Sequence, residues 1–223
     1  NKNDAEVLVN KIERYLTQQS NDRWKKTITF ISDDGDDNIH IRDSEDLAER
    51  VKLTHEDFQV NKIYLDSYIK TSNDRYPDAK DAIDRAINDG TLLINFIGHG
   101  GVSGLTHELV ITHASIDSWR NHNKLPLFVT ATCEFSRFDN PSLVSAGEKT
   151  LLNPNGGGIG LLTTTRLVWS GANKQLNDAF INNVFLPLDN GRKPRFGDII
   201  KKTKNNTKAT INKLNFTLLG DPA

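Results

Sequence analysis

The chain has 223 residues, 36% hydrophobic, 26% charged and 8% aromatic, a composition that can bury a core without staples and excludes wholesale disorder. Lys+Arg 28 against Asp+Glu 29 leaves a net charge of -1, with no electrostatic footprint for a phosphate backbone, so no nucleic acid partner is expected. The longest apolar runs, Leu92 to Ile97 and Ile159 to Leu162, fall far short of the roughly 20 residues of a membrane-spanning helix, and a single cysteine excludes an intrachain disulfide and a cysteine-based zinc site.

In chain order, Val7, Leu8, Ile12, Tyr15 and Leu16 recur at helical spacing behind Asp4, read as an N-cap, and predict a helix over residues 5–18 that ends near Gln18-Gln19-Ser20-Asn21. Residues 1–25 lack a basic start followed by an apolar block, so no signal peptide is read there. Thr27 to Ile31 reads as a buried strand, followed by the acidic stretch Asp33 to Asn38 and a helix over Asp43 to Thr54. Lys62 to Leu65 is a second strand. A helix opened by Pro77 and closed by Gly90 leads to a third strand at Leu92 to Ile97, and Leu127 to Ala131 is the fourth. A helix near Leu143 to Leu152, a strand at Gly158 to Thr163, helices near Asn173 to Phe185 and Arg195 to Thr203, and a closing strand at Asn215 to Leu219 follow. Leu188 to Pro194 reads as a turn-rich connection. Strands alternating with helices imply right-handed crossovers and an α/β fold, a doubly wound, mostly parallel sheet with helices on both faces.

In such sheets ligands sit beyond the carboxyl ends of the strands, where strand order reverses. Strand one runs into Ser32-Asp33-Asp34-Gly35, strand three into Gly98-His99-Gly100-Gly101, and strand four into Thr132-Cys133-Glu134. A flavodoxin-like order 2-1-3-4 makes strands one, three and four neighbours at about 4.8 Å, so Asp34, His99 and Cys133 are expected to converge on one edge. An imidazole beside a thiol takes its proton and makes a nucleophile for acyl transfer, then protonates the leaving amine. The flanking glycines admit a peptide backbone, the Gly100 and Cys133 N–H groups are the expected oxyanion donors, and Asp34 is expected to orient the ring.

By type alone, a lone cysteine after a buried strand is more often a small core residue; its place beside a glycine-flanked histidine is what favours the nucleophile. Asp33 to Asn38 reads as a solvated turn, since a calcium loop of the EF-hand kind needs a terminal glutamate that is lacking. Gly156-Gly157-Gly158-Ile159-Gly160 precedes a strand, whereas a dinucleotide fingerprint follows one, so no nucleotide is expected. His107 and His113 lack HExxH spacing and read as polar surface, and no catalytic metal is expected. Trp169 either packs in the core or walls the cleft; with Glu134 it is the candidate for substrate binding.

An apolar strand running into His99-Gly100 and another running into Ala131-Thr132-Cys133 resemble the His-Gly and Ala-Cys signature of caspase-fold cysteine peptidases, and the separation of 34 positions is similar to that of the gingipain family. Asn95 to Gly101, Ala131 to Asp139, Asn153 to Gly157, Thr163 to Val168 and Leu218 to Pro222 resemble the type IX secretion sortases of that family, from about Trp24 to the end. The resemblance implies a caspase-like catalytic domain over residues 25–223, with residues 1–24 a helix left from a preceding subdomain of a longer protein. It implies removal of the C-terminal signal domain of secreted cargo through a thioester on Cys133, with His99 as base and acid, and transfer to an amine of surface lipopolysaccharide. Cargo proteins, lipopolysaccharide and other type IX secretion components are the implied partners, the outer-membrane cell surface the implied setting, and no cofactor is called for. Asp34 matches loosely a carboxylate that is glutamate in gingipains, with Asp33 an adjacent rival. The acidic residue behind arginine specificity has no clear counterpart, so a basic-residue preference is not carried over. A hydrolytic endopeptidase of the same fold and a non-catalytic cargo-docking module are the competing readings.

Overall fold

The computed structural model describes residues 1–18, 22–188, 190–208 and 210–223. Helix α1 (Lys2–Thr17) precedes β1 (Thr27–Ser32), α2 (Gly35–Thr54), β2 (Gln59–Tyr64), α3 (Pro77–Asp89) and β3 (Leu93–Ile97). Three two-residue strands follow, β4 (Gly100–Gly101), β5 (Gly104–Leu105) and β6 (Ile111–Thr112), then α4 (His113–Ser118) and β7 (Leu127–Ala131). The chain closes with α5 (Ala146–Leu152), β8 (Gly160–Thr164), α6 (Ser170–Val184), α7 (Phe196–Asn205), α8 (Thr210–Asn215) and β9 (Phe216–Gly220).

Six strands form one sheet in the order β2-β1-β3-β7-β8-β9. All pairings are parallel except β8 with β9. The order reverses between β1 and β3, which makes their carboxyl ends the expected ligand crevice. β3 and β7 are buried at every position, which is why both read as unbroken apolar runs.

Side chains alternate along each strand and so sort into two cores. Ile28, Phe30, Leu93, Ile97, Val129 and Ala131 pack with α2, α6 and α7 through Leu47, Phe180 and Ile199. Ile31, Ile94, Phe96, Phe128 and Leu161 pack on the other face with Ile83 and Ile87 of α3, Ile116 of α4 and Leu151 of α5. The buried amides of Asn95 on β3 and Asn177 on α6 exchange hydrogen bonds of 2.7 and 2.9 Å, which fixes that helix against that strand.

Several boundaries differ from the sequence expectation. The cap of α1 is Asn1, not Asp4: the Asn1 side chain accepts the Asp4 N–H at 3.1 Å, and Asp4 sits at the third helical position of a capping box. α2 begins at Gly35 rather than Asp43, because Asp36, Asp37 and Asn38 form a left-handed turn with φ of 52°, 53° and 60° before the regular helix. The sheet β4-β5-β6 was not expected, since two-residue strands carry no periodicity. Of the turn read at Gln18 to Asn21, residues 19–21 lie outside the described residues. The connection read at Leu188 to Pro194 is a turn in which the Leu188 N–H donates to Arg192 O at 2.9 Å and the Gly191 N–H to Leu188 O at 2.8 Å; Asp189 lies outside the described residues. α1 is fastened to the domain by Lys11, whose buried ammonium donates to Leu151 O at 2.6 Å and to Gly156 O at 2.9 Å. Among the described residues no helix is long and apolar enough to cross a membrane.

Candidate active site

Ile97 and Ala131 are the last paired residues of β3 and β7, so His99 and Cys133 each leave a neighbouring parallel strand two residues later, at the same level. Glycine makes the approach of the loops possible at two places. A Cβ at Gly98, φ +156°, would lie 2.3 Å from Asp33 Cβ, so the β1 and β3 ends could not stand so close with any other residue. A Cβ at Gly100 would lie 2.5 Å from Thr132 Oγ1, so the histidine loop rests directly on the residue before Cys133.

The acidic stretch after β1 divides its labour. Asp33, 2% exposed, continues the ladder with its N–H on Ile97 O at 3.2 Å. Its carboxylate accepts the Gly35 N–H at 3.0 Å and the His99 backbone N–H at 2.9 Å, so it fixes the histidine loop rather than the ring. Asp34, expected on the imidazole, instead accepts a 2.6 Å hydrogen bond from the Tyr76 hydroxyl at the start of α3. Burial, with the Asp34 carboxylate reinforcing it, holds that phenol above its ordinary pKa. The carboxylate on the ring is Asp36, whose Oδ2 stands 3.2 Å from His99 Nε2. The left-handed turn explains the difference: alternation sends Asp33 inward and Asp34 toward α3, and the turn then folds Asp36 back over the histidine.

Around His99 stand two more imidazoles. His107 stacks on it with ring centroids 4.8 Å apart, and His40 of α2 meets it edge-on at 5.2 Å. His40 is 5% exposed, its Nε2 is 3.3 Å from Asp36 Oδ2, and neither ring nitrogen has a hydrogen-bond partner of acceptable geometry. Burial lowers its pKa below the ordinary imidazole value, Asp33 and Asp36 opposing and His99 reinforcing the effect.

Cys133 is half-buried, and its thiol donates to Val168 O at 3.5 Å. Among the described residues no hydrogen bond joins the thiol to the imidazole, so reaction requires the sulfur to turn from Val168 O. The loop that carries it is tied to the end of β8: the Glu134 N–H donates to Arg166 O at 3.3 Å and the Ser136 N–H to Thr164 O at 2.9 Å. Glu134 holds a left-handed φ of 48°, a strained conformation next to the nucleophile candidate, and its carboxylate pairs with Arg137 at 3.1 Å. The Thr106 N–H donates to His99 O at 2.9 Å beside the antiparallel pair Gly100–Leu105. Such bonds alternate along a ladder, so the Gly100 N–H points away from β5 and is free of that ladder. Trp169 is 81% exposed, directly after the carbonyl that holds the thiol, so it belongs to the rim of the site and not to the core. Leu167, 72% exposed, extends that apolar rim. A pocket of about 410 Å³ lies at the opposite, amino end of the sheet, lined by Arg23, Trp24, Thr27 and Gln59.

Two groups of side chains have the spacing of a cation site. The ligand atoms of Asp36, His40 and His99 lie within 4.8 Å of one another, as do the carboxylate oxygens of Asp33, Asp34 and Glu108. In the second group Lys70 already neutralises Glu108 at 3.1 Å. His113, far from acting as a ligand, places Nε2 3.4 Å from Val102 O. Sequence reasoning did not single out His40, Tyr76 or Val168, and read Asp36 only as part of a solvated turn.

The profile of Peptidase family C25 matches residues 1–223. No curated protein matches the chain in sequence. Among solved structures, the complex of Porphyromonas gingivalis RgpB pro- and mature domains superposes with a TM-score of 0.79 at 17% identity, covering 100% of this chain and 53% of that one. The Arg-specific cysteine proteinase gingipain R (RgpB) gives 0.79 at 19% identity, covering 100% and 52%. The separase–securin complex of Saccharomyces cerevisiae gives 0.58 at 12% identity, covering 96% of this chain and 13% of that one. The chain thus spans about half the length of the gingipain chains it matches. At these identities the structures establish a shared fold, and the profile establishes descent: the chain belongs to peptidase family C25, the gingipain family of cysteine peptidases, and has its caspase-like fold.

Proposed function

We propose that residues 25–223 form the catalytic unit of a thiol transpeptidase of the sortase kind, resembling PorU of the type IX secretion system, with residues 1–24 the end of a neighbouring subdomain. The observation that carries the reading is the pair of strand ends: His99 and Cys133 leave β3 and β7 at the same level, with Gly100 packed on Thr132 between them. Cys133 gives its proton to His99 and attacks the scissile carbonyl. The Gly100 and Cys133 N–H groups receive the oxyanion, and His99 returns the proton to the leaving amine. A thioester remains. His99 then deprotonates an incoming amine, which attacks the thioester and restores the thiol. Asp36 takes the orienting role expected of Asp34, because it faces His99 Nε2. The exposed Trp169 and the part-buried Glu134 border the strip along which the acyl segment lies. Secreted cargo bearing a C-terminal signal domain is the acyl donor, a lipopolysaccharide amine the acceptor, other type IX components the neighbours, and the outer-membrane surface the setting.

Whether water or amine resolves the thioester depends on access and not on the acylation groups. The test is incubation with a cargo fragment spanning the signal-domain junction and a defined primary amine, with products weighed by mass spectrometry. Amide product supports the transpeptidase. Acid alone at saturating amine identifies a hydrolytic endopeptidase, and intact substrate bound without cleavage identifies a docking module.

A further inference from the structure

We propose that Asp36, His40 and His99 form a three-ligand site for a tetrahedral divalent transition metal, zinc in particular, whose occupancy silences the thiol site because a metal on His99 Nε2 leaves Nδ1, the nitrogen not facing Asp36, carrying its hydrogen and unable to accept the thiol proton. In tetrahedral zinc sites with bonds of about 2.0–2.1 Å, neighbouring ligand atoms stand about 3.3 Å apart. Asp36 Oδ2 is 3.2 Å from His99 Nε2 and 3.3 Å from His40 Nε2, so two edges of that tetrahedron are already set. The three ligand atoms lie within 4.8 Å of one another, and the third edge closes by rotation of the half-exposed His99 ring.

His40 supplies an independent argument. A buried polar group short of well-formed hydrogen bonds is costly, and the His40 ring is 5% exposed with neither nitrogen in a hydrogen bond of good geometry, Nε2 only approaching Asp36 at 3.3 Å. A metal on Nε2 satisfies that nitrogen, and the donor set of two imidazoles and one carboxylate is a common one for zinc. Three protein ligands leave the fourth position to water on the exposed side of Asp36. The site uses neither Cys133 nor any residue of the Cys133 loop. His40 stands on α2 and His99 beyond β3, so the ligands converge only in the fold.

The inhibitory consequence rests on the Cys133–His99 reading of the site, whereas metal binding does not. The test therefore begins with the Cys133→Ala chain, titrated with zinc chloride by calorimetry and with cobalt(II) by absorption. The expected result is one metal per chain, a tetrahedral d–d spectrum, and at least tenfold weaker binding after His40→Gln. His40→Gln removes from the apo protein only the 3.3 Å approach of His40 Nε2 to Asp36, and its thermal melt reports folding separately. Unchanged affinity in His40→Gln, or binding that requires Cys133, overturns the site. In the chain with Cys133 intact, zinc should slow alkylation of Cys133, with His40→Gln needing at least tenfold more metal. Zinc binding at Asp36, His40 and His99 with no effect on alkylation would overturn the inhibitory step alone.

Discussion

Replacing Asp33 by Asn separates the geometry found here from the arrangement expected of adjacent acidic residues. The carboxylate is 2% exposed and accepts two backbone N–H groups, Gly35 at 3.0 Å on Oδ1 and His99 at 2.9 Å on Oδ2. An amide offers one oxygen, so one of these N–H groups then faces an NH₂ donor. The loss is one charge-assisted hydrogen bond of about 1.5–3 kcal/mol. At about 2–4 °C per kcal/mol for a domain of this size, Tm should fall by about 3–12 °C. The two N–H groups lie on either side of the histidine, since a Cβ at Gly35 would stand 3.1 Å from His99 Cδ2. Displacing this frame misplaces the base, and a misplacement near 1 Å costs on the order of 100-fold in rate. Asp33→Asn should therefore slow Cys133 acylation by about 10- to 100-fold, measured by stopped-flow with an activated peptide ester. Asp34→Asn keeps an oxygen for the Tyr76 hydroxyl and should change the rate less than about twofold, the bond being worth about 1 kcal/mol. If Asp34→Asn is the slower protein, or Asp33→Asn matches wild type in both melt and rate, the account of this loop is wrong.

Other substitutions probe other links. Asp36→Asn removes a charge 3.2 Å from His99 Nε2 on a side chain 58% exposed; with water-like screening the pair is worth about 1.3 kcal/mol, so acylation should slow up to about tenfold, and the deficit should shrink as salt is raised. Gly100→Ala drives a methyl against Thr132 Oγ1 at 2.5 Å and should lower the acylation rate by about 10- to 100-fold; circular dichroism checks that the sheet is kept, and an unchanged rate contradicts the contact between the two loops. Burial, helped by Arg14, lowers the pKa of Lys11 from 10.5 to about 7. Between those values the unfolded chain binds more protons than the native one, so the Lys11 contribution makes stability rise with pH from about 7 to about 10. Urea unfolding across that range should show the rise in wild type and a flatter profile in Lys11→Met, which also leaves Leu151 O and Gly156 O without their donor.

The sheet was legible because β1, β3, β7 and β8 are buried apolar runs bounded by turn residues, and the sequence order of strands and helices then admits few topologies. The same patterns place His99 and Cys133 at strand ends. The carboxylates were harder. Period-2 alternation holds only while the chain is a strand, and Asp36, Asp37 and Asn38 adopt left-handed φ without a glycine to announce it. Asp34 therefore turned to Tyr76, and a residue read as solvated turn took its place on the ring. His40 escaped notice for a related reason, since it lies in the helix opened by that turn and meets His99 only across the fold. Trp169, left between core and cleft by its position after a strand, is excluded from the core by its exposure.

The most direct test is the mass of the acylated protein. The chain is mixed with an activated peptide ester, quenched in acid within one turnover, weighed intact and mapped by peptide mass. One acyl group on Cys133, absent in Cys133→Ala and formed at least 100-fold more slowly in His99→Ala, is the result predicted from the two strand ends. An acyl group on any other residue, or equal acylation of Cys133 with and without the His99 imidazole, would contradict it.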